Sequence, residues 1–213
     1  MKYTGRIVIM SVFLVLYGIV RVYGNVYYNF PYTRFPYLGI IALAICWWMG
    51  GQYDKVKFYS EKDVLTGICN RRHVIQIFPK IIERIGKRDG ILNLFLIDVD
   101  NFKKINDTYG HETGDKVLQY TSNILLSNTA KTDIVARWAG DEFLIISPYS
   151  DASSGDATIH RIDHALKKLS AEMRFEVSVS IGVAMYPNDA KTLDALLHVA
   201  DCNMYEIKSK QKA

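Results

Sequence analysis

The first 53 residues contain no aspartate or glutamate, although the whole chain of 213 residues carries 22 of them. Two nearly uninterrupted apolar runs, 7–20 and 37–49, lie in this segment. Each run is shorter than the roughly 20 residues that a membrane-spanning helix needs. Flanking tyrosines and tryptophans extend both runs with side chains that favour the lipid headgroup region. This pattern predicts a two-pass transmembrane hairpin over residues 1–53.

Three alternatives exist for these runs: buried core helices, a signal peptide, or helices lying in the membrane surface. No amphipathic segment accompanies the runs to form a core, no small-residue cleavage pattern follows the first one, and neither has a polar face. The cations Lys2 and Arg6 before the first run and Lys55 after the second favour both termini in the cytoplasm. The chain is therefore expected to be a multi-pass membrane protein with its C-terminal part in the cytoplasm.

Beyond residue 53 the charges are balanced, with 22 Lys and Arg against 22 Asp and Glu. A domain without a basic excess is a poor match for the phosphate backbone of a nucleic acid, which we exclude as a partner. The three cysteines, Cys46, Cys69 and Cys202, are far apart and form no C-x-x-C pair. Neither a disulfide framework nor a zinc site is expected.

Residues 54–62 are polar and predict a linker helix that continues from the second apolar run, before a domain over 63–213. Strands are predicted at 92–99, 133–138, 143–147 and 176–185, and helices at 71–88, 113–126, 157–171 and 192–208. Long helices between strands, with one tight hairpin at 139–142, predict an α+β domain. In such a domain the helices pack on a mostly antiparallel sheet.

Acidic residues follow two of the predicted strands. Asp98 and Asp100 end the apolar run 92–99, and strand alternation places both on the same face. Asp141 and Glu142 belong to the turn 139–142, in which small residues let a ligand approach the backbone. Taken singly, each feature is also typical of an ordinary cap or turn. Together these carboxylates would repel one another unless a cation joined them, and such oxygen ligands suit Mg²⁺.

Five sequence blocks in one order closely resemble the GGDEF family of diguanylate cyclases, bacterial enzymes that condense two GTP into cyclic di-GMP. The blocks are DVLTGICNRR (63–72), DVDNFKKINDTYGHETGD (98–115), RWAGDEF (137–143), SIGVA (180–184) and ADCNMYEIK (200–208). The resemblance implies a palm-like, ferredoxin-like domain of the βαββαβ type. It also implies that the membrane is the bacterial cytoplasmic membrane.

The resemblance further implies a metal site for Mg²⁺ or Mn²⁺, with two ions per half-site. Asp98 and Asp141 would bind the metal through carboxylates and Val99 through its carbonyl oxygen. Glu142 would act as a metal ligand or help to deprotonate the attacking hydroxyl. Asp141, Glu142 and Lys208 make up the implied catalytic set.

The remaining implied residues bind GTP. Phe102 and Lys103 would meet the terminal phosphates through backbone N–H and ammonium groups. An amide and a carboxylate can pair with the donors and acceptor of guanine, and these would come from Asn106 and Asp115. The implied set is completed by Gly140, which would let the nucleotide lie against the turn, and by Lys208 and Lys212, which would add positive charge at the phosphates.

Activity would require a homodimer, because each subunit binds one GTP as half of an active site. Two rival functions stay open: a catalytically silent, membrane-tethered module that binds GTP or a partner, and a related cyclase that uses ATP or makes a mononucleotide.

The chain departs from the family pattern at two places. Ala139 replaces the first glycine of the signature, which is costly only if the backbone there needs a positive φ. Residues 130–133 read AKTD where many relatives have R-x-x-D, so weak or absent product inhibition is expected. Outside the implied site, Arg137 is expected to pair across the sheet or to contact a dimer partner. Trp138 is expected to pack, and Tyr205 to lie in the core.

Overall fold

The computed structural model describes residues 3–29, 37–87, 90–149 and 152–211. The chain divides into two compact units, Met1–Ser60 and Glu61–Ala213. Two cations used in the sequence analysis, Lys2 and Lys212, lie outside the described residues.

The first unit contains helix α1 (Thr4–Tyr28) and most of helix α2 (Tyr37–Glu61). Within the described residues, α1 alone is long and apolar enough to cross a membrane, judged by length and composition. Helix α2 includes the second predicted span and the predicted linker helix. Its apolar part gives way to polar residues from Gln52 onward, so a second membrane span is not shown.

Helix α1 begins against the polar part of α2. The Asp54 carboxylate accepts a hydrogen bond of 2.7 Å from the backbone N–H of Gly5. The first N–H groups of a helix have no partner within the helix, and a carboxylate there is also favoured by the helix dipole. Gly50 is buried at the same place, where a side chain would collide with the backbone of Arg6. Asp54 and the missing side chain at Gly50 therefore fix this helix contact.

The second unit is a five-stranded sheet covered by helices. Its elements are β1 (Cys69–Asn70), α3 (Arg71–Gly86), β2 (Leu92–Val99), α4 (Phe102–Tyr109), α5 (His111–Asn128), β3 (Ile134–Ala139), β4 (Glu142–Pro148), α6 (Ala152–Met173), β5 (Val179–Tyr186) and α7 (Leu193–Gln211). The strand order is β1-β3-β4-β2-β5. Strand β1 runs parallel to β3, and the other pairs are antiparallel. The predicted α+β fold with a mostly antiparallel sheet is confirmed, and β2 to β5 follow the βαββαβ order.

Strand β2 lies at the centre of a core with two faces. Phe95 and Ile97 pack on one face with residues of α4, α5 and α6. Leu94 and Leu96 pack on the other face with residues of α3 and α7. Because both faces are buried, the strand reads as a continuous apolar run rather than an alternating one. The same parity directs Asp98 to the face that α7 covers.

Several predicted boundaries differ from the structure. Strand β5 begins three residues later than predicted, whereas α5 and α6 begin two and five residues earlier. Helix α4 was not predicted as a separate helix. It has eight residues and starts after Asn101, whose φ is 54°, so it is too short for a clear helical period. The expectation for Tyr205 is wrong, because its side chain is 73% exposed while the neighbouring Met204 carries the buried face of α7.

Candidate active site

The end of β2 and the β3–β4 turn meet at one edge of the sheet. In the antiparallel ladder Asp98 is paired with Glu142. The backbone N–H of Val99 donates to the carbonyl oxygen of Asp141 across 3.3 Å. Pairing between β2 and β4 therefore brings all four sequence-predicted metal-binding positions to the same edge.

The turn tolerates alanine at its first position. Ala139 is not among the described residues with a positive φ, and it pairs with Glu142 in the ladder. Gly140 has a φ of +37°, and a side chain there would meet nothing within 4 Å. The backbone conformation, rather than crowding, is what favours glycine at 140. The replacement of glycine by Ala139 therefore adds no backbone strain.

Lys208 of α7 reaches the end of β2. Its Nζ atom lies 2.6 Å from Oδ1 of Asp98, with side chains 30% and 20% exposed. Asp100 has different partners, since its two carboxylate oxygens accept hydrogen bonds from Ser178 and Ser180 at 2.8 and 2.6 Å. Asp98 therefore faces the lysine, whereas Asp100 is held by the serines at the start of β5.

Glu142 lies in an acidic environment. Burial raises the pKa of its carboxyl, and the negative charges of Asp98, Asp141 and Asp201 raise it further, while Lys208 acts in the opposite direction. Among the described residues, the carboxylates of Asp98, Asp141, Glu142 and Asp201 thus lie close enough to repel one another, with the ammonium group of Lys208 opposing that repulsion.

Asp201 is the member of this group that the sequence analysis left without a role. It lies on α7 seven residues before Lys208, which is two helical turns, so the two side chains share a face of the helix. This seven-residue spacing within the block 200–208 was the one feature of the sequence that could have pointed to Asp201 as a site residue. A role for Asp201 could not be inferred without knowing that this face of α7 lies over the signature turn.

The donor set fits Mg²⁺ or Mn²⁺. Among the described residues, no three Asp, Glu, His or Cys side chains are arranged to hold an ion by themselves. Mg²⁺ does not need such a cage, because it usually binds one or two carboxylates and completes its shell with water and substrate phosphates. The mutual repulsion acting on Glu142 is what a divalent cation would relieve.

The predicted guanine-reading residues lie on α4 and α5. Asn106 is half-buried on α4, and Asp115 is exposed on α5 directly after the buried Gly114. Phe102, at the start of α4, packs against the core, and Lys103 beside it is exposed. The short connection at Gly110 (φ 83°) turns the chain so that Asn106 lies against Gly114.

A cavity of about 640 Å³ lies beside the site. It extends from Lys208 and Asn101 along α4 to Phe175, on which Tyr109 stacks with ring centroids 4.4 Å apart. Asn106 and Asp115 do not line it. The cavity therefore reaches the predicted phosphate end of the site but not the guanine end.

Arg137 connects the signature turn to the start of the domain. Its Nε atom donates to the Gly140 carbonyl oxygen at 2.8 Å, and its Nη1 atom donates to the Asp63 carboxylate at 3.2 Å. Asp63 also accepts hydrogen bonds from the backbone N–H and hydroxyl of Thr66. Arg137 was expected to pair across the sheet, but its partners are its own hairpin turn and Asp63 in the turn before β1. Trp138 packs as expected, in the core beneath Arg71, whose guanidinium lies 4.6 Å from the ring centroid.

The hydrogen bonds to Asp63 outweigh the effect of its burial. Burial alone would raise the pKa of this carboxyl, but hydrogen bonds from Thr66 and the charge and hydrogen bond of Arg137 bring it below the ordinary value of 3.8. The ionised form of Asp63 is therefore the one that the fold stabilises.

The segment 130–133 closes on itself. The backbone N–H of Ala130 donates to the Asp133 carboxylate at 2.9 Å, and the N–H of Asp133 donates to the carbonyl oxygen of Ala130 at 3.0 Å. Arg161 of α6 lines a cavity beside this turn, but its guanidinium donates to Asn128 and Thr158. Asp133 therefore stabilises the turn itself.

Comparisons with known proteins identify the family of the domain. Residues 60–213 match the family model described as "Diguanylate cyclase, GGDEF domain". The chain is 35% identical over 152 residues to diguanylate cyclase DosC of Escherichia coli, covering 70% of this chain and 33% of DosC. It is 33% identical over 160 residues to diguanylate cyclase DgcS of Shewanella oneidensis, covering 74% and 53%. The chain thus spans between a third and about half of these relatives.

Solved structures share the fold. The coiled coil and GGDEF domain of DgcB from Caulobacter crescentus, in complex with c-di-GMP, superposes with a TM-score of 0.71 at 25% identity, covering 80% of this chain and 92% of that one. The diguanylate cyclase SiaD from Pseudomonas aeruginosa, in complex with its activator SiaC, gives 0.66 at 25% identity, covering 94% and 78%. Since the family model matches well over half of the chain, this protein belongs to the GGDEF domain family of diguanylate cyclases.

Proposed function

We propose that this protein condenses two GTP molecules into cyclic di-GMP and releases two pyrophosphates. The observation that carries the proposal is the convergence of Asp98, Asp141, Glu142 and Lys208 at one sheet edge, in a domain of this family. A module that only bound GTP would not need Glu142 beside that edge, so the silent alternative is not favoured. The side chains of Asn106 and Asp115 would form hydrogen bonds to the guanine base, which favours GTP over ATP as the substrate.

The reaction is phosphoryl transfer, in which positioning and charge neutralisation supply most of the catalysis. Each 3′-hydroxyl oxygen bonds to the α-phosphorus of the other GTP. The bond from that phosphorus to the bridging oxygen breaks, pyrophosphate leaves, and the hydroxyl proton passes to Glu142 or water. One subunit presents one GTP, so we expect only the homodimer to be active.

The acidic edge would hold Mg²⁺ or Mn²⁺, with Asp98, Asp141, Glu142 and the Val99 carbonyl as ligands and two ions per half-site. When bound, the metal lowers the pKa of the attacking hydroxyl and offsets the charge on the phosphates.

The remaining residues position the nucleotide. The exposed Lys103, with the backbone N–H groups at the start of α4, would bind the terminal phosphates, and Lys208 would turn from Asp98 towards them. Lys212, which lies outside the described residues, would add a second cation. The open space at Gly140 would receive the nucleotide.

We also propose that α1 anchors the catalytic domain on the cytoplasmic face of the bacterial membrane. The length and apolar composition of α1 support this role. The second pass, and with it the multi-pass topology, rests on the apolar run 37–49 alone. Anchoring would confine subunits to a plane and raise their local concentration, which favours the dimer.

The test is to incubate the full-length protein, reconstituted in nanodiscs, with GTP and Mg²⁺. We expect cyclic di-GMP and pyrophosphate in a ratio of one to two. Mass spectrometry measures the cyclic di-GMP, and a phosphate assay coupled to pyrophosphatase measures the pyrophosphate. Asp141→Asn should lower turnover by at least about a hundredfold with an unchanged melting temperature. Absence of product from a wild-type dimer that binds GTP would contradict the proposal and support a silent module.

A further inference from the structure

Gly114 lies where the start of α5 packs against α4, beside the predicted guanine-reading residues Asn106 and Asp115. Helix α4 ends at Tyr109, and the Gly110 N–H donates to the carbonyl oxygen of Asn106 at 2.9 Å. In the next turn of chain, the N–H of Gly114 donates to the carbonyl oxygen of Gly110 at 3.2 Å. These bonds fold α5 back against the end of α4, so that Gly114 is buried beside the side chain of Asn106.

The missing side chain at 114 makes room for an amide. A methyl group in place of the glycine hydrogen would overlap the Asn106 carboxamide oxygen and lie 3.0 Å from its carbon. It would also come within 3.3 Å of Cζ of Phe102. Glycine is less favourable than alanine inside a helix. Helix α5 therefore carries an unfavourable residue at a position where alanine would displace Asn106.

The atom that would have to move is the end of a side chain, not the backbone. At Gly182, by contrast, an added methyl group would overlap the backbone carbonyl of Ala200. An alanine at 114 can therefore be accommodated by rotating the Asn106 amide away, which changes recognition more than folding.

We propose that Gly114 is a specificity-determining residue, which sets guanine selectivity by leaving the space that holds the Asn106 amide beside Asp115. This inference rests on the proposed function, in which Asn106 and Asp115 read the base. An amide donates and accepts, and a carboxylate accepts only, so the two together can bond both donor groups (N1–H and N2–H2) and the O6 acceptor of guanine, whereas adenine offers a single donor group on that edge. A site that hydrogen-bonds a ligand group discriminates strongly because its polar atoms are otherwise left unpaired.

The experiment measures nucleotide binding without turnover. The probes are the α,β-methylene analogues of GTP and ATP, from which pyrophosphate cannot leave, titrated calorimetrically into full-length protein with Mg²⁺. We expect Gly114→Ala to weaken binding of the GTP analogue by about ten- to a hundredfold and to leave binding of the ATP analogue unchanged. Gly86→Ala is the control, since a side chain at Gly86 would meet nothing within 4 Å, and it should bind as the wild type does.

A double-mutant cycle identifies the partner. If Gly114 acts through the amide, adding Gly114→Ala to Asn106→Ala should have almost no further effect on the affinity for the GTP analogue. The inference would be overturned if Gly114→Ala lowered the affinity for the GTP analogue equally in the wild type and in Asn106→Ala. It would also be overturned if Gly114→Ala left the ratio of the affinities for the GTP and ATP analogues unchanged.

Folding is checked in parallel by thermal unfolding. Should Gly114→Ala fail to fold, recovery of the fold in the double variant would identify the Asn106 amide as the group in conflict, and continued failure would overturn the inference. Failure of the proposed function can be distinguished from failure of this inference. In the former case the wild type would release no cyclic di-GMP from GTP, whatever the variants bind.

Discussion

Lys208 and Asp98 form an ion pair of 2.6 Å between the last helix, α7, and the end of strand β2. The pair joins a residue predicted to neutralise phosphates to one predicted to bind metal. Lys208 cannot bind phosphates, nor Asp98 a metal ion, while the two side chains are paired with each other. Binding of nucleotide and metal should therefore separate Lys208 from Asp98. Lys208 thus occupies a position that a divalent cation bound to Asp98 would need.

Replacing Lys208 by methionine should therefore have opposite effects on metal binding and on turnover. We expect Mn²⁺ affinity of the nucleotide-free protein to rise about two- to fivefold, the range for a partly exposed charge pair. We expect turnover of GTP to fall at least about tenfold, because the phosphates lose a cation. Electron paramagnetic resonance of free Mn²⁺ measures the first effect. The control is Lys167→Met, which removes an exposed lysine paired with Asp163 and should change neither quantity. A lower Mn²⁺ affinity in Lys208→Met would contradict the competition between Lys208 and the metal ion for Asp98.

The Asp63–Arg137 link should make stability depend on pH in the acid range. The pKa of Asp63 is lower in the folded protein than its ordinary value of 3.8. Its contribution is therefore complete above that value and is lost as the pH falls through the folded pKa. Asp63→Asn should be less stable than the wild type by about 1 kcal/mol at pH 7, and the gap should close towards pH 3. Urea unfolding at both pH values measures the difference in the free energy of unfolding between the wild type and Asp63→Asn. A difference that grows on acidification would refute the stabilising role of the Asp63 carboxylate.

Gly182 of β5 should be required for folding rather than for chemistry. A side chain at this position would overlap the backbone carbonyl of Ala200 in α7, and neither backbone can move without opening the core. We expect Gly182→Ala to cost about 2 kcal/mol or more of the free energy of unfolding, measured in urea. Gly86→Ala should leave that free energy within about 0.5 kcal/mol of the wild type, and equal values for the two variants would rule out the steric explanation.

The turn at 130–133 should leave the proposed cyclase activity insensitive to cyclic di-GMP. No arginine occupies position 130, and Asp133 is bonded within its own turn. We expect cyclic di-GMP to inhibit the wild type weakly or not at all. An arginine supplies a planar guanidinium that can bind phosphate bidentately or stack on a base, so Ala130→Arg should increase the inhibition at a given product concentration. Initial rates with added cyclic di-GMP test this, and strong inhibition of the wild type would show that other residues bind the product.

The sequence by itself determined the family, the α+β class and the identity of most candidate site residues. It could do so because these depend on local order: an apolar strand ending in Asp98, a small-residue turn carrying Asp141 and Glu142, and blocks in a fixed succession. It also predicted two membrane-spanning helices. Among the described residues only α1 is long and apolar enough for such a span, because α2 becomes polar from Gln52 onward.

Only the tertiary structure decided which of these residues touch. Asp98 and Lys208 are 110 positions apart, and Arg137 meets Asp63 across 74. The role of Gly114 likewise appears only when α4 and α5 are packed, because a glycine in a helix carries no sign of the side chain that fills its space. Periodicity reports the face on which a residue lies, whereas the partner opposite that face is set by the packing of distant elements.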